Sequence, residues 1–267
     1  MRVALLGGGT IARLLLERAV PGVEISAIVG RSAGSRGAAL AREFGVPYVV
    51  GREALLGLRP DAVLEAASHA AVREYLLPLL EAGVNVVVMS AGALAEDALR
   101  AAAEQAAQRS GALLYVPSGG IGGLDALKAA CSAGVDSVSV QVAKPPVAWM
   151  GISYVEGLGV DLLHLKQPKT LFEGPAREGV PHFPQNVNIA AVLAMAGIGF
   201  DRTHLTVVAD PALTHNTHTI RISGRSGRIT VTLENVPAPE NPKTAWLACH
   251  SALAALRSLG SAVRYGT

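Results

Sequence analysis

The stretch that most constrains this chain is its opening, Met1 to Ala12, MRVALLGGGTIA. Val3-Ala4-Leu5-Leu6 is a short apolar run of the kind a buried strand uses. After Gly7-Gly8-Gly9 the apolar residues recur at helical spacing, at Ile11, Leu14, Leu15, Leu16 and Ala19. Gly7, Gly9 and Ala12 fit G-x-G-x-x-G/A at the point where strand becomes helix. In that pattern the first glycine permits a tight turn and the second lets backbone approach a pyrophosphate. The small third residue lets helix and strand pack closely. The helix start, with Thr10 and Ile11, adds unpaired N–H groups and partial positive charge. The turn therefore reads as a dinucleotide site formed by Gly7, Gly9, Thr10 and Ile11. The competing reading is a tight turn in another α/β fold.

The residues that follow alternate between the two periods. Strands are expected over Val23–Val29, Val46–Val50, Asp61–Ala67, Val84–Met89 and Ala112–Val116, with helices over Ala38–Phe44, 70–82 and Glu96–Ser110. This alternation predicts a doubly wound parallel sheet, whose ligands bind outside the carboxyl ends of the strands. The second strand ends at Gly30-Arg31-Ser32, where an acidic residue would hydrogen-bond the ribose 2′-OH of NAD. None is present, and Arg31 and Ser32 suit a 2′-phosphate; alternatively Arg31 is an ordinary loop arginine. The cofactor expected is thus NAD or NADP, with a leaning to NADP. Three further strand ends are small and polar: Ala67-Ser68-His69, Ser90-Ala91-Gly92 and Pro117-Ser118-Gly119-Gly120. Ala67, Ser68, Ser90, Ala91 and Gly120 are candidates to lie against the nicotinamide and its ribose, although ordinary strand-to-helix turns use the same residues. His69 reads as a helix-start residue rather than a catalyst.

Composition narrows the partners. Half of the 267 residues are apolar and 16% are charged, enough for a sizeable core. A net charge of +2 leaves no footprint for nucleic acid or an anionic membrane. No apolar run approaches the ~20 residues of a membrane span. The opening strand leaves no room for a signal peptide, so a cytoplasmic location is expected. Cys131 and Cys249 lack metal-ligand spacing and read as buried free thiols, and no metal site is expected.

The second half changes character. Gly119-Gly120-Ile121-Gly122-Gly123 precedes a helix over Leu124–Ala133 and reads as an anion cradle or as an interdomain hinge. Ser137–Ala143 alternates as a strand and runs into Lys144-Pro145-Pro146, while 147–168 has no clean period. A helix over Asn188–Gly197 and strands over His204–Ala209, His218–Ser223 and Arg228–Glu234 follow, the last two joined by Gly224-Arg225-Ser226-Gly227. Strands in a run predict a smaller α+β domain with a mostly antiparallel sheet. The expected division is a dinucleotide-binding domain over 1–117 and a second, α+β domain over 118–242. The closing helix, within 243–267, is a candidate to pack back on the first domain, a point periodicity leaves open. Between strands, Thr214-His215-Asn216-Thr217-His218 places two histidines three apart in what reads as a polar loop. It is a poor zinc site, lacking further ligands. It suits acid–base chemistry, since histidine titrates near ~6.5; the alternative is a loop histidine bonded only to backbone.

Taken together, GGGTIA, EAASHAAVREY, SAGALA, PSGGIGGLDAL, AKPPVAW, FPQNVNIAA, VVADPALTHNTHTIRISG and ENPKTAWL resemble the L-aspartate dehydrogenases, over nearly the whole chain and in the family's order. The resemblance implies a Rossmann domain, a catalytic domain that forms a homodimer, and NAD(P)-dependent oxidative deamination of L-aspartate. The products are oxaloacetate, formed through iminosuccinate, and ammonia, and the reaction also runs in reverse. Some members supply iminoaspartate for NAD biosynthesis. The family's essential histidine falls on His218, and its cofactor contacts fall on Gly120 and Asn188. Lys144, His215 and Lys243 are candidates for binding the substrate. Three departures stand out: Gly120 where alanine is common, the absence of a polar stretch over 150–165, and Gly179, which is expected to interrupt the helix before FPQN. The competing functions are a reductase of the same architecture acting on another small acid, such as homoserine or dihydrodipicolinate, and a dinucleotide sensor without turnover.

Overall fold

Short apolar runs, each ended by glycine or a small polar residue, build the first sheet. Its strands are β1 (Arg2–Leu6), β2 (Glu24–Gly30), β3 (Tyr48–Val50), β4 (Ala62–Glu65), β5 (Asn85–Val88) and β6 (Leu114–Tyr115). They lie in the order β3-β2-β1-β4-β5-β6, all parallel. Strands covered on both faces need apolar residues at successive positions. Val3, Ala4 and Leu5 of β1 and Ala62, Val63 and Leu64 of β4 are at most 1% exposed. Helices α1 (Thr10–Glu17), α2 (Arg36–Phe44), α3 (Arg52–Gly57), α4 (His69–Glu81) and α5 (Asp97–Ser110) alternate with the strands, giving the doubly wound architecture. The strand order reverses between β1 and β4, which places a ligand crevice outside their carboxyl ends.

The structure, a computed structural model, describes residues 1–267 except Gln185, Glu240, Arg264, Gly266 and Thr267, and except the side chains of Pro242 and Lys243. Packing divides it into two units, Met1–Pro117 with Cys249–Arg264, and Ser118–Ala248. The second contains α6 (Leu124–Ala133), β7 (Val135–Lys144), α7 (Ser153–Gly157), β8 (Lys169–Pro175), α8 (Ala176–His182), α9 (Asn188–Ala196), β9 (Thr203–Ala209), β10 (Asn216–Gly224) and β11 (Gly227–Asn235). Its sheet has the order β11-β10-β7-β9-β8, with β7 and β9 parallel and the other neighbours antiparallel. The chain closes with α10 (Trp246–Gly260), whose residues from Cys249 onward belong to the first unit. Cys249 is buried, whereas Cys131 is only half-buried. Among the described residues, no helix is long and apolar enough to cross a membrane.

The segment without a period, 147–168, folds as short turns around α7. Trp149 and Val155 are at most 1% exposed. Tyr154 meets Phe183 and Phe172 edge-on, with ring centroids 5.4 and 6.3 Å apart. Gly179 does not interrupt the helix before Phe183, contrary to the sequence expectation, but lies inside α8. A Cβ there would sit 2.6 Å from both Leu205 Cδ2 and Phe172 Cε1, so the missing side chain is what lets α8 lie directly on the sheet. Gly179→Val is expected to lower unfolding stability by about 2 kcal/mol through overpacking. Denaturant unfolding with an unchanged midpoint would contradict this packing.

Candidate active site

Each unit carries candidate functional residues of its own. In the first, the turn from β1 to α1 is clamped on two sides and open on a third. Gly7 has φ +109°, donates its N–H to Val29 O at 2.9 Å, and leaves only 2.8 Å between an added Cβ and Ala66 O. A Cβ on Gly8 would fall 2.2 Å from the Gly37 Cα of α2. A Cβ on Gly9, by contrast, meets nothing within 4 Å, and Gly9 caps α1 without a side-chain bond to its first turn. Open space beside uncapped helix N–H groups fits a pyrophosphate. Thr10 and Ile11 open α1 at that point, and Arg31 and Ser32 lie exposed just beyond β2.

Glu65, the last residue of β4, organises the other strand ends. It is 2% exposed. Its Oε1 accepts from Ala67 N (2.8 Å), Ser68 N (2.9 Å) and Ser90 Oγ (2.9 Å), and its Oε2 from Ser90 N (3.0 Å). One carboxylate thus ties the segment after β4 to the segment after β5, and with them three of the sequence-predicted cofactor contacts. Ser68 also caps α4 through Ala71 N at 3.2 Å, and Ala91 is buried at the start of the following turn. Burial raises the Glu65 pKa above the usual carboxylate range, while the four donors favour the anion. The sequence reading passed over this residue. Its signal is an acid closing a strand that is otherwise wholly apolar.

The second unit gathers polar side chains on one face of its sheet. Asn216, His218, Ile220 and Ile222 are the buried alternate residues of β10. His218 pairs with Val142 of β7, and Asn216 with Asn235 of β11. Since side chains two apart share a face, Lys144, Asn216, His218 and Asn235 all project from the same side. All four are 4% exposed or less. The strand begins two residues earlier than the sequence suggests, at Asn216, so His218 is its third residue and its burial follows from strand alternation. His215 lies outside that strand and is exposed, with Nδ1 2.8 Å from Thr214 Oγ1. The structure does not bring it into the cluster.

Hydrogen bonding favours one tautomer of His218. Its Nδ1 lies 3.1 Å from Gly120 O, and Asn235 Nδ2 donates to the same oxygen at 2.9 Å. Asn235 Nδ2 also lies 3.2 Å from Nδ1, but the nearer neighbour is the carbonyl, which only accepts, and this favours a proton on Nδ1 donated to Gly120 O. The lone pair is then on Nε2, which is buried and has no hydrogen-bond partner among the described residues. Burial first, and the nearby Lys144 charge second, push the His218 pKa down to about 4, against the opposing pull of Gly120 O. The ring is neutral at physiological pH, with a vacant basic nitrogen. Gly120 takes part through its carbonyl, so a glycine in place of the commoner alanine costs the contact nothing.

Lys144 ends β7. Its Nζ donates to Asn186 Oδ1 at 2.9 Å and stands 5.0 Å from the Trp149 ring centroid. Burial pushes its pKa down to about 7. Asn188 opens α9 two residues after Asn186 and is half-buried. The Lys243 side chain lies outside the described residues. Asn186, Asn216 and Asn235 were missed by sequence reasoning. Asn235 was within reach, because the Gly224–Gly227 turn sets a hairpin register that carries Asn235 opposite Asn216.

A buried lysine costs stability at any pH where the unfolded chain holds the proton more tightly. Between about pH 7 and pH 10.5 the unfolded lysine binds the proton that the folded one gives up, so folding strengthens as pH rises through that window. Lys144→Met is therefore expected to raise the Tm, by the equivalent of about 1–3 kcal/mol at pH 7 and less at pH 10. A Tm gain independent of pH, or a loss, would contradict the burial cost.

Comparison with known proteins agrees with both halves. The family described as "Homoserine dehydrogenase, NAD binding domain" matches residues 6–117, and "Aspartate dehydrogenase, C-terminal" matches residues 125–259. An L-aspartate dehydrogenase of Methanosarcina acetivorans is 39% identical over 273 aligned positions, covering 100% of both chains. One from Methanosarcina barkeri is 45% identical over 78% of this chain and 76% of its own. The crystal structure of aspartate dehydrogenase from Thermotoga maritima superposes with a TM-score of 0.77 at 31% identity, over 100% of this chain and 99% of that one. The chain belongs to the aspartate dehydrogenase family.

Proposed function

We propose that this chain catalyses the NAD(P)-dependent oxidative deamination of L-aspartate to oxaloacetate and ammonia, or its reverse, with His218 as the proton carrier. The observation that carries this reading is the buried, neutral His218, whose Nδ1–H is committed to Gly120 and whose Nε2 is free. When bound, the nicotinamide supplies the hydride acceptor for the aspartate α-carbon, or the hydride donor in the other direction. The rest is proton management by the protein. As the α-carbon loses hydride, the amino group loses a proton to become the imine of iminosuccinate, and Nε2 is the base proposed to take it and pass it to solvent. The neutral ring then takes a proton from the water that adds to the imine carbon and returns it to the nitrogen that departs as ammonia. Such general acid–base help is worth about 10²–10⁴-fold.

The substrate is a dicarboxylate and needs cationic or N–H partners. Lys144, held by Asn186, supplies a cation on the face that carries His218, and a carboxylate brought beside it would favour its charged form. The glycine-rich start of α6 supplies backbone N–H groups, and Lys243 completes the proposed set, while Gly120 and Asn188 are proposed as cofactor contacts. In the first unit, Gly7, Gly9, Thr10 and Ile11 would hold the pyrophosphate, while Ala67, Ser68, Ser90 and Ala91 would lie against the nicotinamide half. The working assembly we propose is a cytoplasmic homodimer, with a role in NAD biosynthesis as for some family members.

The test is nicotinamide oxidation followed by absorbance. It is expected to require oxaloacetate and ammonia together, and His218→Ala is expected to lower kcat by about 10²–10⁴-fold with the fold intact. Unchanged turnover in a folded variant would remove His218 from the mechanism. Oxidation without ammonia would indicate keto-acid reduction instead.

A further inference from the structure

The end of β2 settles which dinucleotide this site is built for. In a doubly wound fold, a carboxylate about 20 residues beyond the glycine turn accepts the ribose 2′-OH and repels a 2′-phosphate. Here that position is Gly30, the last residue of β2, and no acid occurs among residues 30–37, GRSAGSRG. The substitution is more than a missing side chain. An added Cβ at Gly30 would lie 2.1 Å from the Tyr48 hydroxyl and 3.1 Å from Ser35 Oγ. Tyr48 OH donates to Ser32 O at 2.7 Å, so the 2.6 Å contact with Ser35 is a bond in which Ser35 Oγ donates to the phenol oxygen. The volume a selecting carboxylate would occupy is filled by a tyrosine pinned from two sides.

The charge around this point has the opposite sign. Arg31 follows Gly30 directly and Arg36 opens α2, and both are exposed. Neither has a hydrogen-bond or ion-pair partner among the described residues, whereas Arg13 of the same unit is held by two bonds to Glu43 at 2.6 and 2.7 Å. Two uncommitted guanidiniums beside a strand end stripped of its carboxylate are what a phosphate monoester requires.

We propose that this chain selects the 2′-phosphorylated dinucleotide, NADP(H), with Arg31 and Arg36 gripping the phosphate, Ser32 beside them, and Tyr48 excluding the carboxylate that would select NAD(H). The proposal rests on the dinucleotide reading of the first unit and adds the choice between the two cofactors. Charge-assisted bonds of this kind correspond to roughly 10- to 100-fold in affinity.

Calorimetric titration of the full chain with NADP⁺, NAD⁺, 2′,5′-ADP and 5′-AMP tests it without any turnover. The expected result is NADP⁺ tighter than NAD⁺ and 2′,5′-ADP tighter than 5′-AMP, each by roughly 10- to 100-fold, with the gap narrowing as salt rises. Arg31→Ala and Arg36→Ala, both surface changes, are each expected to lower NADP⁺ affinity about tenfold and NAD⁺ affinity far less. An equal loss for both nucleotides would mean the arginines act on the fold or the pyrophosphate, and would overturn the proposal. NAD⁺ binding as tightly as NADP⁺ in the unaltered chain would overturn it too. Binding of neither would overturn the dinucleotide reading itself. Gly30→Asp combined with Tyr48→Ala is expected to move the preference towards NAD⁺, and Gly30→Asp alone is not, because the tyrosine holds the space.

Discussion

Burying a polar side chain is unfavourable unless something nearby completes its hydrogen bonds. The second sheet buries Lys144, Asn216, His218 and Asn235 on one face. For His218 a single backbone oxygen, that of Gly120, accepts from both the imidazole and Asn235. That arrangement favours a proton on Nδ1, which leaves the lone pair on the far side of the ring. It also ties the glycine-rich segment before α6 to a strand of the sheet. A histidine left to solvent would titrate near ~6.5 and sample both tautomers. Here burial keeps it neutral and the carbonyl keeps it oriented, so a base is ready at physiological pH.

The first unit solves a parallel problem with a carboxyl group. Glu65 is buried and accepts from three backbone N–H groups and one hydroxyl. Its value to the fold lies in geometry, because the groups it holds belong to the segments that close the ligand crevice beside β1. Together with the clamped turn at Gly7 and Gly8, it makes that rim rigid before any cofactor arrives. Preorganisation of this kind lowers the ordering cost of binding. The two units thus each fix a reactive surface by saturating a buried polar group.

What was legible in the sequence was what local periodicity carries. The parallel sheet, its helices and the glycine turn announce themselves through apolar spacing and glycine placement, and the antiparallel run in the second half does so through alternation. Three things were not local. Glu65 acquires its role from Ser90, 25 residues away in sequence, so nothing adjacent to it reveals the function. His218 reads as the junction of a polar loop and a strand, because polar residues on a buried strand face imitate a loop, and only pairing with Val142 and Leu233 shows it inside the strand. Gly179 looks like a helix breaker, since the benefit of a missing side chain appears only when Phe172 and Leu205 are packed against it. Asn235 lies between these cases, legible from the hairpin turn once the register is counted outward.

The central claim is that His218 is neutral, with its proton on Nδ1 and a free lone pair on Nε2. The nitrogen-15 shifts of its imidazole in the intact protein, followed by NMR through acidification, test this directly. The account predicts a protonated Nδ1 and an unprotonated Nε2 at neutral pH, with no titration until the pH falls towards about 4. A proton on Nε2 at neutral pH, or a midpoint near the ordinary histidine value, would contradict it.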